Sequence, residues 1–459
     1  MKRYFVALSF FAAALTVCLP LRSHALVNIQ EVTSPGGIRA WLVENHTIPM
    51  LSMKMAFIGG AAWDPDEKAG LSNMVASLLD EGGGTLTSHD FQIALEEHAI
   101  SLGFSASRDS LHGSMRTLRK HHEKAFALLR LALTAPRFDP QPLERMRKAI
   151  LTGLARRGES PQAVASDYWF TKMWGKHPYG RIVAGRPETV ATITRSDLKG
   201  FAKDRLTKRN LVVAVVGDIT AAELATLLDK TFGDLAEGEK VKSLPPATQQ
   251  AESGVWVKER PGGQTTVVFG HGGIKRDDPD WYAAYVMNYI LGGGGLTGRL
   301  SDAVREERGL AYSVYSYFYP LRHGGLFMGQ VATQNARAGE AMAVIHGEIS
   351  RLASEGVTEE ELNDAKTYLT GSYPLEFDSS GSIAGQLLGM QILGFSPNYI
   401  QKRNSYIADV SRAQISRVAA RLLQADKIVW SIVGKPDDLD KLTAVTDVPV
   451  VSRGVKPSP

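Results

Sequence analysis

The feature that most constrains this chain is an internal echo. Leu211-Val-Val-Ala-Val-Val-Gly217 returns as Ile428-Val-Trp-Ser-Ile-Val-Gly434, an offset of 217 residues. The glycine run Gly82–Gly84 returns at Gly292–Gly294, an offset of 210. Two copies of one α/β unit are the economical explanation, and 459 residues are too many for one ordinary core. The stretch 236–253, AEGEKVKSLPPATQQAES, is charged, carries Pro245-Pro246 and lacks apolar periodicity. It reads as an extended linker between halves that each fold alone and can close as a clam-shell.

The start of the chain has the composition of an export signal. Lys2 and Arg3 precede an apolar run from Phe5 to Pro20, and Ser23-His24-Ala25 offers small residues around a cleavage position. The run is too short for a permanent span. Val17 is a poor residue before a lipid-modified cysteine, so a periplasmic protein is expected rather than a lipoprotein anchored at Cys18. Cleavage after Ala25 removes the only cysteine, and removing Lys2, Arg3 and Arg22 lowers the formal charge from +4 to +1. Neither thiol chemistry, nor a nucleic-acid surface, nor a membrane span of the mature chain is implied.

Candidate chemistry concentrates between Leu291 and Ser316, LGGGGLTGRLSDAVREERGLAYSVYS. The glycines end an apolar helix predicted over 279–291, a charged helix follows over 299–308, and 310–319 alternates as a strand. Arg305 and Tyr312 are thereby placed close to one another, and both side chains are donors suited to an oxygen that gains negative charge. By base rates alone, the more ordinary reading is a solvated arginine and a tyrosine packed in the core or at its rim.

The segment REERGLAYSVYS after a glycine-rich turn resembles the C-terminal half of the M16 peptidases, the group with an inverted zinc motif. HPYGRIVAGRPE, ending at Glu188, is similar to another segment of that family. The resemblance spans nearly the whole mature chain. It implies an α+β fold of two homologous LuxS/MPP-like metallohydrolase domains, each a mostly antiparallel sheet with helices on one face. The domains would be 26–235 and 254–459. It also implies that Arg305 and Tyr312 match the family's substrate-binding pair. Gly292, Gly293, Gly294 and Gly295 are then candidate substrate-binding backbone, although the same run serves equally to end a helix.

The family's zinc motif, His-x-x-Glu-His, needs one helical face, because residues four apart are neighbours there. Here the matching helix, predicted over 70–79, offers Asn73, Met74, Val75, Ala76 and Ser77. The family's later glutamate ligand falls at Gly153, on a helix predicted over 140–157 with Asp139 as its cap. No metal is therefore expected in this chain. No serine or cysteine nucleophile motif replaces it, and His121-His122-Glu123 puts its adjacent histidines on different sides of a helix.

Some bacterial members of the family divide the work between two chains, and this sequence resembles the one without zinc. The expectation is a heterodimer that cleaves peptides, with Zn2+ and the general base on the partner. A non-catalytic scaffold is the alternative. Phe104–Met115 is predicted as one strand, near the family's peptide-pairing edge.

Overall fold

The structure is a computed structural model that describes residues 27–443 and 450–453. The expected signal, 1–25 with Cys18, lies outside the described residues. Among the described residues, twelve strands form two six-stranded sheets. The first contains β1 (Gln30–Thr33), β2 (Arg39–Glu44), β3 (Met50–Ile58), β4 (Ser101–Ala106), β5 (Ser110–Leu118) and β6 (Leu211–Gly217), in the order β1-β2-β6-β3-β5-β4. The second contains β7 (Gly254–Glu259), β8 (Gln264–Gly272), β9 (Ala311–Leu321), β10 (Gly324–Gln334), β11 (Val429–Gly434) and β12 (Val450–Arg453), in the order β12-β7-β11-β8-β10-β9. Most neighbours are antiparallel; β2 with β6, β7 with β11 and β7 with β12 are parallel. The repeated apolar segments are β6 and β11, each inside its sheet.

One face of each sheet is covered by helices of its own half, which gives two separate cores of aliphatic and aromatic side chains. The other face is covered by a helix from the opposite half. Pro161–Trp174 lies across β8 and β11, and Ser380–Ile392 lies across β3 and β6. Trp169, Met173 and Trp174 pack with Val268, Val429 and Val433. The Trp169 indole donates to the Val429 carbonyl (3.0 Å), and Ser431 Oγ donates to that of Ala165 (2.8 Å). In the reciprocal layer Ile383, Leu387 and Leu388 meet Trp41, Val43, Ala214 and Val216, and Gln391 Nε2 donates to Val213 O (2.9 Å).

This exchange corrects the expectation of two halves that fold alone: each sheet would leave an apolar face in water without its neighbour's helix. The stretch 236–253 has no helix or strand, but it is not a free hinge. Ala247 N–H donates to His323 O (2.7 Å), Gln250 N–H to Met173 O (2.8 Å), and the Trp63 indole to Lys242 O (2.6 Å). The segment expected as one strand over 104–115 is a hairpin. Ser107 and Ser110 close its turn, with Ser107 N–H donating to Ser110 O (2.8 Å) and Ser110 N–H to Ser107 Oγ (3.1 Å).

Candidate functional site

The site is assembled by two short irregular turns and the edge strand β9. The helix Trp281–Asn288 buries Ala283, Ala284, Val286 and Met287, then widens into a π-helical turn at Tyr289–Gly293. The predicted charged helix is likewise brief: Arg299–Ser301 is α-helical and Asp302–Glu306 is π-helical. Two such segments in 18 residues mark a region where helix geometry yields to other demands. One demand is visible at Gly292, where a Cβ would come within 2.5 Å of Ser316 Oγ and 2.9 Å of Ser316 N on β9. Gly295 has φ +63°, so bare backbone is also favoured at the end of the turn.

The chain between Arg305 and Tyr312 is firmly held. Gly309 N–H donates to Arg305 O (2.8 Å) and Leu310 N–H to Val304 O (2.8 Å). Arg337 donates to the carbonyls of Gly309 (3.0 Å) and Arg308 (2.9 Å). Arg299 forks onto Glu361 at 2.6 and 2.8 Å, which anchors the start of the same segment.

The structure brings the Arg305 guanidinium to 5.3 Å from the centre of the Tyr312 ring, in cation–π range. Arg305 Nε also lies 3.4 Å from Glu306 Oε1. Tyr312 is 86% exposed, the largest exposure of any large apolar or aromatic side chain among the described residues. Further along β9, Tyr315 and Tyr317 are stacked at 6.1 Å, and burial pushes the Tyr317 phenol up to about 12. The pair can present several guanidinium N–H donors and one phenol O–H to a single oxygen. Left in water, those donors gain little from it; covered and desolvated, they gain much more.

The matching region of the first half is arranged differently. The helix expected over 70–79 is α-helical only from Leu71 to Ala76. It begins at Gly70 (φ +98°), and Ser77 ends it with its hydroxyl donating to Met74 O (2.9 Å). Asn73 and Ser77 are half-buried, while Ala76 is buried in the core. The helix Pro140–Glu159 packs beside it and carries Gly153, where a Cβ would meet no atom within 4 Å. Asp139 stands at the N-cap position as expected, but its side chain makes no capping bond; its carboxylate accepts from Arg137 at 2.6 Å instead.

At the positions that the resemblance assigns to the family's zinc ligands and base, Asn73, Ala76, Ser77 and Gly153 offer an amide, a methyl, a hydroxyl and a hydrogen, a donor set that does not fit zinc. Among the described residues no group of three His, Cys, Asp or Glu side chains could hold a metal. Asp80, the nearest following carboxyl, is pushed up to about 6 by burial and, more weakly, by Glu81.

Residues 39–186 match the family model described as insulinase, peptidase family M16, and residues 192–369 match the one described as peptidase M16 inactive domain. The chain belongs to the M16 peptidase family. A Helicobacter pylori protein named non-peptidase homolog YmxG is 27% identical to this M16 chain over 439 residues, covering 94% of it and 98% of the relative. An uncharacterized zinc protease of Mycobacterium leprae is 29% identical over 403 residues, 86% of this chain and 89% of the other. A crystal structure described as a peptidase M16 inactive domain from Pseudomonas fluorescens superposes with a TM-score of 0.83 at 28% identity, covering 89% of this chain and 98% of that one. The two M16 domains and the α+β class follow from these matches together with the two sheets. The role of Arg305 and Tyr312 is what the family resemblance implies, and the structure gives their separation of 5.3 Å.

The sequence did not point to Asn288, a buried residue that bonds to β9 from the helix before the glycine turn. The one available signal was a polar residue at a core-facing position of an otherwise apolar helix.

Proposed function

We propose that this M16 chain is the zinc-free subunit of a two-chain metallopeptidase that works in the periplasm once residues 1–25 are removed. A homologue bearing the zinc motif holds the metal and the general base. This chain contributes Arg305 and Tyr312, which hold the substrate carbonyl oxygen, and the backbone of Gly292–Gly295 flanks the peptide. The observation that carries the reading is the contrast in one molecule. Arg305 on a π-helical turn lies against Tyr312 on an edge strand, with Tyr312 86% exposed, while the four positions matched to the zinc motif carry other residues. An exposed pair needs a second surface to desolvate it, which supports a partner chain as the missing wall.

The name of the Helicobacter pylori relative favours a second reading, a non-catalytic M16 scaffold or peptide-binding protein. One experiment separates the two. The purified chain, alone and mixed with an exported zinc-motif homologue from the same organism, is assayed for zinc and for peptide cleavage. The shared-site reading expects an inert chain and a chelator-sensitive mixture. A mixture no more active than the homologue alone would leave the scaffold.

A further inference from the structure

We propose that Asn288 is a positioning residue for the Arg305–Tyr312 pair, acting through Ser316; the inference rests on the functional reading above. Asn288 is the last residue of the helix before the π-helical turn and is only 6% exposed. A main-chain carbonyl can only accept, so the amide nitrogen of Asn288 is the group facing Ser316 O, at 2.9 Å. That orientation leaves Asn288 Oδ1 to accept from Ser316 Oγ, also at 2.9 Å. One side chain therefore answers both the carbonyl and the hydroxyl of one residue of β9, and Ser316 is itself 2% exposed.

The surrounding fit is too close to be adjusted. A Cβ at Gly293 would stand 2.9 Å from Asn288 Nδ2, and one at Gly292 would stand 2.5 Å from Ser316 Oγ. The two glycines thus wrap the hydrogen-bonded pair, which fixes the glycine turn and β9 in a single register. Tyr312 lies four residues before Ser316 on the same strand. Its other side is fixed by Arg337 on the carbonyls of Arg308 and Gly309 and by Thr333 Oγ1 on Leu310 O. Tyr312 itself is exposed between these two anchors, so its direction is set by them.

Displacement of a catalytic contact by about 1 Å can cost roughly 10²-fold in rate. In the reconstituted pair, Asn288→Ala should lower kcat between about ten- and a hundred-fold, with KM changed by less than about threefold. Ser316→Ala, which keeps the carbonyl contact, should cost less. The double variant should be no worse than Asn288→Ala alone, because the hydroxyl has already lost its acceptor. In the isolated chain, Asn288→Ala should speed amide exchange both at 292–295 and at 311–316, on either side of the tie.

A variant that loses thermal stability but keeps the wild-type kcat, or whose faster exchange stays within the helix, would reduce Asn288 to a core residue and overturn the proposal. Arg305→Ala run in the same mixture distinguishes the deeper failure. If it leaves turnover unchanged, the shared-site reading falls and the positioning role falls with it.

Discussion

The two halves repeat one plan, and the comparison between them separates what a fold keeps from what chemistry requires. In each, a central strand (β3 or β8) leads to a short helix, a glycine-rich turn and then an edge hairpin (β4–β5 or β9–β10). The first-half helix has become packing: Met74, Val75 and Ala76 are buried, and Ser77 spends its hydroxyl on its own helix. The second-half counterpart ends in bare backbone, a buried amide and an exposed Arg–Tyr pair. Asn73 and Ser77 are half-buried and Gly153 is exposed, so the scaffold depends little on which side chains stand there, whereas loss of the core-facing residues would open cavities of several kcal/mol. The lesson is that sheet and helix order survive the loss of a site, and only side chains report whether a site is left.

The largest expected effect tests whether the halves are one cooperative body. Trp169→Ala removes a fully buried indole and its bond to Val429 O at the exchanged helix, and should cost about 3–5 kcal/mol. Both sheets should melt together, about 3–6 K below the wild type; two separated calorimetric transitions in the wild type would break the picture of interlocked halves.

Next comes the pair itself. Arg305→Ala should reduce turnover of the two-chain complex by roughly 10² to 10³, or about 2.7–4 kcal/mol, with little change in the melting of this chain. Asn73→Ala, in the half without the metal chemistry, should leave turnover within experimental error, and a matching loss there would erase the asymmetry between the halves.

A titrating difference sharpens the comparison further. Counting back from Gly217 and Gly434, β3 places Phe57 where β8 places His271. His271 is held neutral: its Nδ1–H donates to Gly272 O (2.8 Å), and Nε2 accepts from Gln424 N–H (3.3 Å). Burial pushes its pKa down to about 4, against a smaller opposing effect of the Gly272 carbonyl. The unfolded chain then binds the proton first, so stability present above about pH 6.5 is lost as pH falls toward 4. His271→Asn should abolish that slope, worth about 1.4 kcal/mol per pH unit, in urea titrations compared across the window. Equal slopes for both proteins would mean that His271 is protonated in the fold.

The smallest effect lies at Gly153, the position matched to the family's later glutamate. Gly153 is exposed in mid-helix with open space around it, so Gly153→Ala should stabilise the chain by up to about 1 kcal/mol in the same titrations. A destabilised variant would show that something in the assembled protein needs that bare backbone.

The sequence was most legible where periodicity and composition act locally. The offset of β6 and β11, the long helix from Pro140 and the strand of Tyr312 could all be placed from residue pattern, because a buried strand or an amphipathic helix writes its period into its own residues. The residues at the positions matched to the zinc motif were equally plain, since the absence of an imidazole there can be read from the sequence itself. The one strand expected over 104–115 failed because four residues, Ser107 to Ser110, close a turn through hydrogen bonds that leave no mark on polar alternation. The two π-helical turns were hidden for a related reason: Gly292 must touch Ser316, 24 positions away.

By itself, then, the sequence determined that there are two related α/β units, and through the family resemblance it marked the positions to compare with the zinc motif and made Arg305 and Tyr312 the polar residues to watch. The tertiary structure decided how those units are joined. The unbroken apolar runs of β6 and β11 demand cover on both faces, but no local pattern says which helix provides it, and the answer is a helix from the other half on each sheet. It decided as well that Arg305 reaches the Tyr312 ring and that Asn288 ties the glycine turn to the same strand. Such contacts join residues far apart in the chain, and they exist only once the close packing of the two cores has fixed where each strand and turn must lie.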